Sequence, residues 1–299
     1  MNVALLLIGT ASGFGHSVYS AIAKVVLKDR VRTPFLFLLY INLFQAVVTM
    51  LLWLAVNPVL PPMEGLAPLF AAGITCLIAY FFLYSSLSSG DVSSVMPIMG
   101  SKVIFSGVLA RLMLNEGHSW PIYVAILLVA ISIAVLSYSP SSGQHARFHT
   151  RPIALMLLCC IVFSFTDIFI KRSLTYLDPY NFLIYYNLIV GATSLVLIPY
   201  LRKRGVPLQI PKRDMLSILL AAVFLISSTL LFVKALQIAE GVVIPNILMA
   251  TRGVFIVLIS LVMTHRGSTM LDEQSKAVYA LRFAASLLIV LSIVIALKN

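Results

Sequence analysis

Charge is what this sequence has least of. Of its 299 residues 10% are charged and 61% hydrophobic, with a mean hydropathy of +1.03, whereas a soluble domain carries about 25% charged residues. A water-soluble globular protein is excluded. Ten bilayer crossings of roughly 20 apolar residues would take about 200 residues and leave about 10 per connection, so no large extramembrane domain fits, and with it goes a receptor or scaffold role. Acids are scarcer than bases, 10 against 21, for a net charge of +11. In a membrane protein that excess follows topology and contact with anionic headgroups, so lipids are expected partners and nucleic acid is not. The three cysteines, Cys76, Cys159 and Cys160, all lie inside apolar runs, which excludes a disulfide framework or a zinc site. An Asp-rich metal motif, His-Glu-x-x-His and Gly-x-Ser-x-Gly are also missing, so no catalytic residue, metal or cofactor is expected and an intramembrane transferase is disfavoured. No basic n-region precedes Val3-Ala4-Leu5-Leu6-Leu7-Ile8, so the first apolar run is expected to be a retained span.

What is present is a series of apolar runs separated by Pro, Gly and charge. They predict an all-α integral membrane protein with ten spans: Val3 to Leu27, Pro34 to Val56, Leu66 to Ser88, Val92 to Leu114, Pro121 to Tyr138, Pro152 to Tyr176, Pro179 to Tyr200, Met215 to Leu236, Val242 to Thr264 and Ala277 to Leu297. Residues 139–151 form a polar linker between two five-helix halves, 1–138 and 152–299. Trp53, Trp120, Tyr138 and Tyr200 fall near span ends and fit interfacial anchoring. Gly9, Gly13 and Ser17 form a small-residue stripe that fits close helix packing.

The halves repeat each other. Pro34-Phe35-Leu36-Phe37-Leu38-Leu39-Tyr40-Ile41-Asn42-Leu43 recurs as Pro179-Tyr180-Asn181-Phe182-Leu183-Ile184-Tyr185-Tyr186-Asn187-Leu188; Ser17 and Lys24 match Ser164 and Lys171, and Leu87 with Asp91 matches Leu236 with Glu240. Five helices per copy is odd, so the second copy enters the bilayer from the opposite side, giving two inverted repeats and the symmetry that underlies alternating access. Basic residues cluster on one side of the ten-span arrangement: Lys28, Arg30 and Arg32; Arg147 and Arg151; Arg202, Lys203, Arg204, Lys212 and Arg213; Arg266 and Lys276. The positive-inside rule therefore puts those loops in the cytoplasm and both termini outside. Short loops and the lack of a targeting extension point to a bacterial cytoplasmic membrane.

With this duplication, the lysine pair Lys24 and Lys171, Pro97 within span four and Asn115-Glu116 at its end, the chain resembles the drug/metabolite transporter superfamily, in particular its ten-helix members built from two EamA-type units, which usually end span four with Gly-Glu. The resemblance implies a secondary transporter. In the superfamily's sugar-phosphate and nucleotide-sugar branch, basic residues on helices four and nine hold phosphate, and Tyr185-Tyr186-Asn187-Leu188 is a partial match to that branch's Phe-Tyr-Asn-Asn motif.

Lys102 near the middle of span four and Arg252 near the middle of span nine stand out, because each cation at the bilayer centre costs roughly 2.5 to 3.5 kcal/mol. They fit either an ion pair with Asp167 and solvation in a cavity, or a clamp for an anionic substrate with one basic group from each half. In the clamp Arg252 grips a carboxylate or phosphate as a fork and Lys102 acts as a point charge. Asp167, the one acid deep in a span, is a candidate for ion coupling or for a local pair with Lys171. Pro97 and Pro245 fit helix starts or local unwinding beside a cavity, and Asp91 and Glu240 fit N-terminal capping. Tyr40, Asn42 and Gln45 in span two and Tyr185, Tyr186 and Asn187 in span seven need partners at membrane depth. They fit helix–helix hydrogen bonds or, for Tyr40, Asn42, Tyr186 and Asn187 in these repeat-equivalent sets, a substrate cavity joined by His16 and Tyr19. The expected cargo is a small organic anion or zwitterionic metabolite, phosphorylated species included, the alternative being export of neutral amino acids or hydrophobic drugs. The oligomeric state is open between monomer and dimer.

Overall fold

The computed structural model describes residues 3–29, 31, 33–90, 95–96, 98–137, 150–265 and 276–297. All regular structure among them is helical: α1 (Val3–Asp29), α2 (Pro34–Met50) with a 3-10 turn at Leu51–Leu54, α3 (Met63–Ser89), a 3-10 turn at Met99–Ser101, α4 (Lys102–Met113) and α5 (Trp120–Ser137). The second half follows with α6 (Thr150–Ser173), α7 (Pro179–Ser194), α8 (Leu197–Lys203), α9 (Lys212–Ile238), α10 (Val243–Met249), α11 (Arg252–His265) and α12 (Lys276–Leu297). Helix occupies all ten expected spans, spans seven and nine each being built from two consecutive helices. Among the described residues seven stretches are long and apolar enough to cross a membrane, and Trp120–Ser132 and Leu287–Ala296 are shorter apolar helices.

The distribution of side chains is that of a lipid-embedded bundle. Leu7, Ile74, Leu112, Leu127, Leu220 and Val262 stand exposed on the outside, an apolar surface too extensive for water. Polar groups are turned inward, where Ser17, Ser20, Thr49 and Ser164 each donate to the carbonyl four residues back. In hydrocarbon such a bond satisfies a hydroxyl that would otherwise lack a partner. Trp120 is exposed at the start of α5 and Tyr200 in the middle of the short α8; Tyr138 lies outside the described residues.

Packing follows the sequence register. The first helix of each half lies against the third helix of the other, α1 on α9 and α6 on α3, while α2 packs on its own counterpart α7 and α5 on α12. The glycine stripe of α1 makes a further approach close, to span nine: a Cβ at Gly13 would sit 2.5 Å from Thr251 Oγ1, and one at Gly9 2.7 Å from Leu248 Cδ1 of α10. Pro34 and Pro179 open α2 and α7, where a missing N–H costs nothing. Asp178 completes the second start by accepting from Tyr180 N at 2.9 Å and Asn181 N at 3.3 Å.

Helix ends are closed by charged side chains from elsewhere in the fold. Lys24 Nζ donates to Leu87 O at 2.8 Å and to Gly90 O at 2.5 Å, at the C-terminus of α3. Lys171 Nζ does the same for α9, at 2.8 Å to Leu236 O and 2.7 Å to Ala239 O. Both lysines thus meet the negative end of a helix dipole and its leftover carbonyls. The expected Asp167–Lys171 pair is not what forms: the helix end outcompetes the carboxylate for the ammonium. Glu240 is exposed and does not cap span nine. Glu116 reaches across from the end of α4 instead and accepts from Val242 N at 3.1 Å. Asn115, with φ +54, makes the left-handed turn that aims it, a conformation open to Asn and easiest for Gly. His118 Nε2 lies 4.0 Å from Glu116 Oε2, but burial holds its imidazole below the usual pKa, with Glu116 opposing. At neutral pH the carboxylate therefore answers a backbone N–H and not an imidazolium. Asp91 and Pro97 lie outside the described residues.

The lysine caps set a stability expectation. Lys171→Met or Lys24→Met strands two carbonyls and should each cost about 2 kcal/mol, read as a lower melting temperature of the detergent-solubilised protein. Exposed Arg202→Gln, by contrast, should leave it unchanged.

Candidate functional site

Both central cations sit at the first residue of a helix that follows a break. Lys102 opens α4 directly after the 3-10 turn Met99–Ser101, and Arg252 opens α11 after Ala250 and Thr251 interrupt span nine. Pro245 is the third residue of α10 and so sits in its first turn, as a helix-start proline does; span nine is interrupted five residues further on. Each break is fixed by a serine that the repeat had already matched. Ser17 Oγ donates to Arg252 O at 2.9 Å, and Ser164 Oγ to Lys102 O at 3.2 Å. Counting from Leu87 and Leu236 puts Lys102 opposite Thr251; the serine contacts make Lys102 and Arg252 the true counterparts.

A central cavity lies between the two breaks, with about 50 Å³ open to the centre of a water molecule. At roughly 10–15 Å³ for each water this admits a few waters and no metabolite. Lys102, Arg252, Asp167, Tyr186, His16 and Tyr19 all line it. Lys102 Nζ pairs with Asp167 Oδ2 at 2.8 Å and lies 4.7 Å from the centre of the Phe232 ring and 5.8 Å from that of Phe163. Asn246 Nδ2 donates to the same carboxylate oxygen at 2.8 Å. Arg252 is 4% exposed and donates from Nη2 to Met99 O at 2.9 Å, while its Nε has no hydrogen-bond partner among the described residues.

The surroundings of the two cations differ in kind. In the register that matches Ser17 with Ser164, the counterpart of Asp167 is Ser20 and that of Phe163 is His16; in the register of Leu87 and Leu236, that of Phe232 is Leu83. All six line the cavity. Lys102 thus has a carboxylate and two aromatic faces, which together stabilise a buried ammonium. Where those groups stand around Lys102, the other half offers a hydroxyl, an imidazole whose Nδ1 is 3.0 Å from Ser12 O, and an aliphatic chain. Asp167 is therefore the acid of the Lys102 pair, the first of the two readings for that lysine, whereas Arg252 has a backbone carbonyl and no acid as hydrogen-bond partner among the described residues.

Tyr40, Asn42 and Asn187 do not line the cavity. Tyr40 Oη donates to Leu208 O at 2.6 Å, Asn42 Oδ1 accepts from Gln45 Nε2 at 3.2 Å, and Asn187 Nδ2 donates to Thr49 Oγ1 at 2.9 Å. The Asn42 and Asn187 bonds are contacts within and between helices, the other reading open to them, whereas Tyr40 reaches a carbonyl of the loop between α8 and α9. Tyr80 and Thr166 were missed. Tyr80 stacks on Tyr84, at 5.6 Å between ring centres, and meets Phe163 edge-on at 5.4 Å; Tyr84 in turn shares a hydrogen bond with Tyr19. The signal that could have found them is the repeat register, which sets Tyr80 opposite Thr229 and Tyr19 opposite Thr166, all four on the cavity wall.

Residues 3–138 match the EamA-like transporter family. No curated protein sequence matches the chain. One crystal structure, 17% identical, shares the fold over 99% of this chain and 97% of its own, with a TM-score of 0.70.

Ser17→Ala and Ser164→Ala each leave the carbonyl of a buried basic residue short of a donor and should each lower stability by about 1 kcal/mol. The two sites share no partner, so the double variant should lose the sum, as measured by chemical unfolding in detergent.

Proposed function

We propose that this chain, whose residues 3–138 match the EamA-like transporter family, is a secondary transporter for a small organic anion or zwitterionic metabolite, working by alternating access between two inverted five-helix repeats. The observation that carries this reading is Arg252, a guanidinium buried in the central cavity with a neutral carbonyl for a partner. A charge so placed calls for an anion. Lys102 lies on the same cavity wall and adds to the attraction, while Asp167 sets how much of that attraction remains.

Binding connects to motion through Met99. A substrate carboxylate or phosphate that takes Arg252 as a bidentate partner competes with Met99 O, and so releases the break before α4 from the break before α11. The few waters' worth of space then has to grow, which the two halves accomplish by moving relative to each other. A substrate drives that change only by its stronger contacts in one arrangement than in the other. Residues 1–138 and 152–299 are the two moving repeats in this reading, joined by the linker 139–151.

The basic residues Lys28, Arg151, Arg202, Lys203, Arg204, Lys212 and Arg213 are exposed, which supports cytoplasmic loops at those positions and both termini outside, in a bacterial inner membrane. Cys76, Cys159 and Cys160 are buried, so new cysteines can report the topology against a low background. An impermeant maleimide applied to intact cells should label Asn57→Cys and spare Lys203→Cys; the reverse pattern would invert the assignment.

The functional test is a thermal-shift screen of wild type, Lys102→Gln and Arg252→Gln against sugar phosphates, carboxylates, amino acids and cationic drugs, followed by counterflow in liposomes with the best ligand. A ligand at 100 times its Kd should stabilise wild type by about 2.7 kcal/mol. Anions should stabilise wild type and fail with Arg252→Gln, and counterflow should disappear with them. Equal stabilisation of all three proteins by neutral or cationic ligands would replace this reading with export of neutral amino acids or hydrophobic drugs.

A further inference from the structure

We propose that Ser20 sets the charge of the cargo: because it stands where the other half has Asp167, Arg252 keeps an unanswered positive charge, and the cavity selects organic anions with one net negative charge. The inference rests on the transport reading above and narrows its substrate class.

The argument is a count of charges in a space that water scarcely reaches. Among the described residues on the cavity wall the charged ones are Lys102, Arg252 and Asp167, 5%, 4% and 2% exposed, and with His neutral they sum to one positive charge. Asp167 is committed to Lys102 at 2.8 Å. Ser20 uses its hydroxyl to donate to His16 O at 2.7 Å and brings no charge to Arg252. The carbonyl of Met99 answers one N–H of the guanidinium and leaves its charge intact. A monoanion on Arg252 makes the loaded cavity neutral. A dianion leaves it negative, a zwitterion or neutral solute leaves it positive, and a cation doubles the excess. An uncompensated charge in a low-dielectric interior is costly, so both binding and passage favour the monoanion. Tyr80 and Phe163 line the cavity and give its organic body aromatic neighbours.

Four probes that share a benzene ring and differ in charge test this on the purified full-length protein at neutral pH: benzoate, phthalate, phenylalanine and benzylammonium. Thermal shifts should show benzoate stabilising wild type at about tenfold or more lower concentration than phthalate or phenylalanine, and no effect of benzylammonium. Ser20→Asp supplies the missing carboxylate; it should raise the melting temperature of the ligand-free protein and weaken benzoate by about tenfold or more. Asp167→Asn adds one unit of positive charge to the cavity and should turn the preference toward phthalate, a result that decides the matter even if Ser20→Asp does not fold. The proposal is overturned if phthalate or phenylalanine equals benzoate on wild type, or if the ranking by charge is unchanged in Asp167→Asn. Anions that stabilise wild type without regard to their charge would sink this inference alone. Failure of every anion on wild type would sink the transport reading with it.

Discussion

A charge withdrawn from water has to be answered by the protein or by something the protein binds, and the centre of this molecule is organised around that demand. Lys102 is answered in full, by Asp167, by the amide of Asn246 behind the carboxylate, and by two aromatic rings. Arg252 is answered in part, by one backbone carbonyl. The same demand operates at the ends of α3 and α9, where carbonyls left over by the helix would face a medium without donors. There it is met by Lys24 and Lys171. Four buried or half-buried cations thus do two kinds of work: two close helices, and two face the cavity.

The helix breaks give those two cations their position. An unbroken span would direct its carbonyls along its own axis, and the guanidinium would find none to accept from it. Interrupting span four frees the Met99 carbonyl for Arg252, while Ser17 and Ser164 each hold the carbonyl of a basic residue from the first helix of the opposite half. The interruption is therefore part of the binding geometry and also a place where span four can bend. One local irregularity links what Arg252 holds to how the spans are arranged.

Hydropathy made the helical membrane architecture legible, because in lipid the length and polarity of a segment leave few alternatives. The likeness of the two halves in sequence was legible from Pro34 with Pro179 and Ser17 with Ser164, and the basic pair from the cost of burying Lys102 and Arg252. What was not legible depended on partners distant in the chain. Asp167 has a lysine one turn away, yet the ammonium it meets belongs to α4, since Lys171 is drawn to the end of α9. Glu240 sits at the start of span nine, yet the carboxylate that answers Val242 N comes from Glu116. Tyr40, Asn42 and Asn187 are polar at membrane depth like Tyr186, and which of the four faces the cavity depends on helix rotation, which periodicity in a nearly uniform apolar run does not fix.

The inequality of Ser20 and Asp167 has a consequence for symmetry. Two identical five-helix copies assembled about a twofold axis place every residue in the shared cavity twice, so with both copies in the same protonation state the charge there is an even number. A cavity with a single unit of excess charge is then closed to such a homodimer unless a symmetric pair shares one proton. Joining the copies in one chain removes the parity restriction, because a substitution can then alter one wall and leave the other as it was. The lone carboxylate at position 167 is thus a state that becomes available only once the two halves are free to diverge.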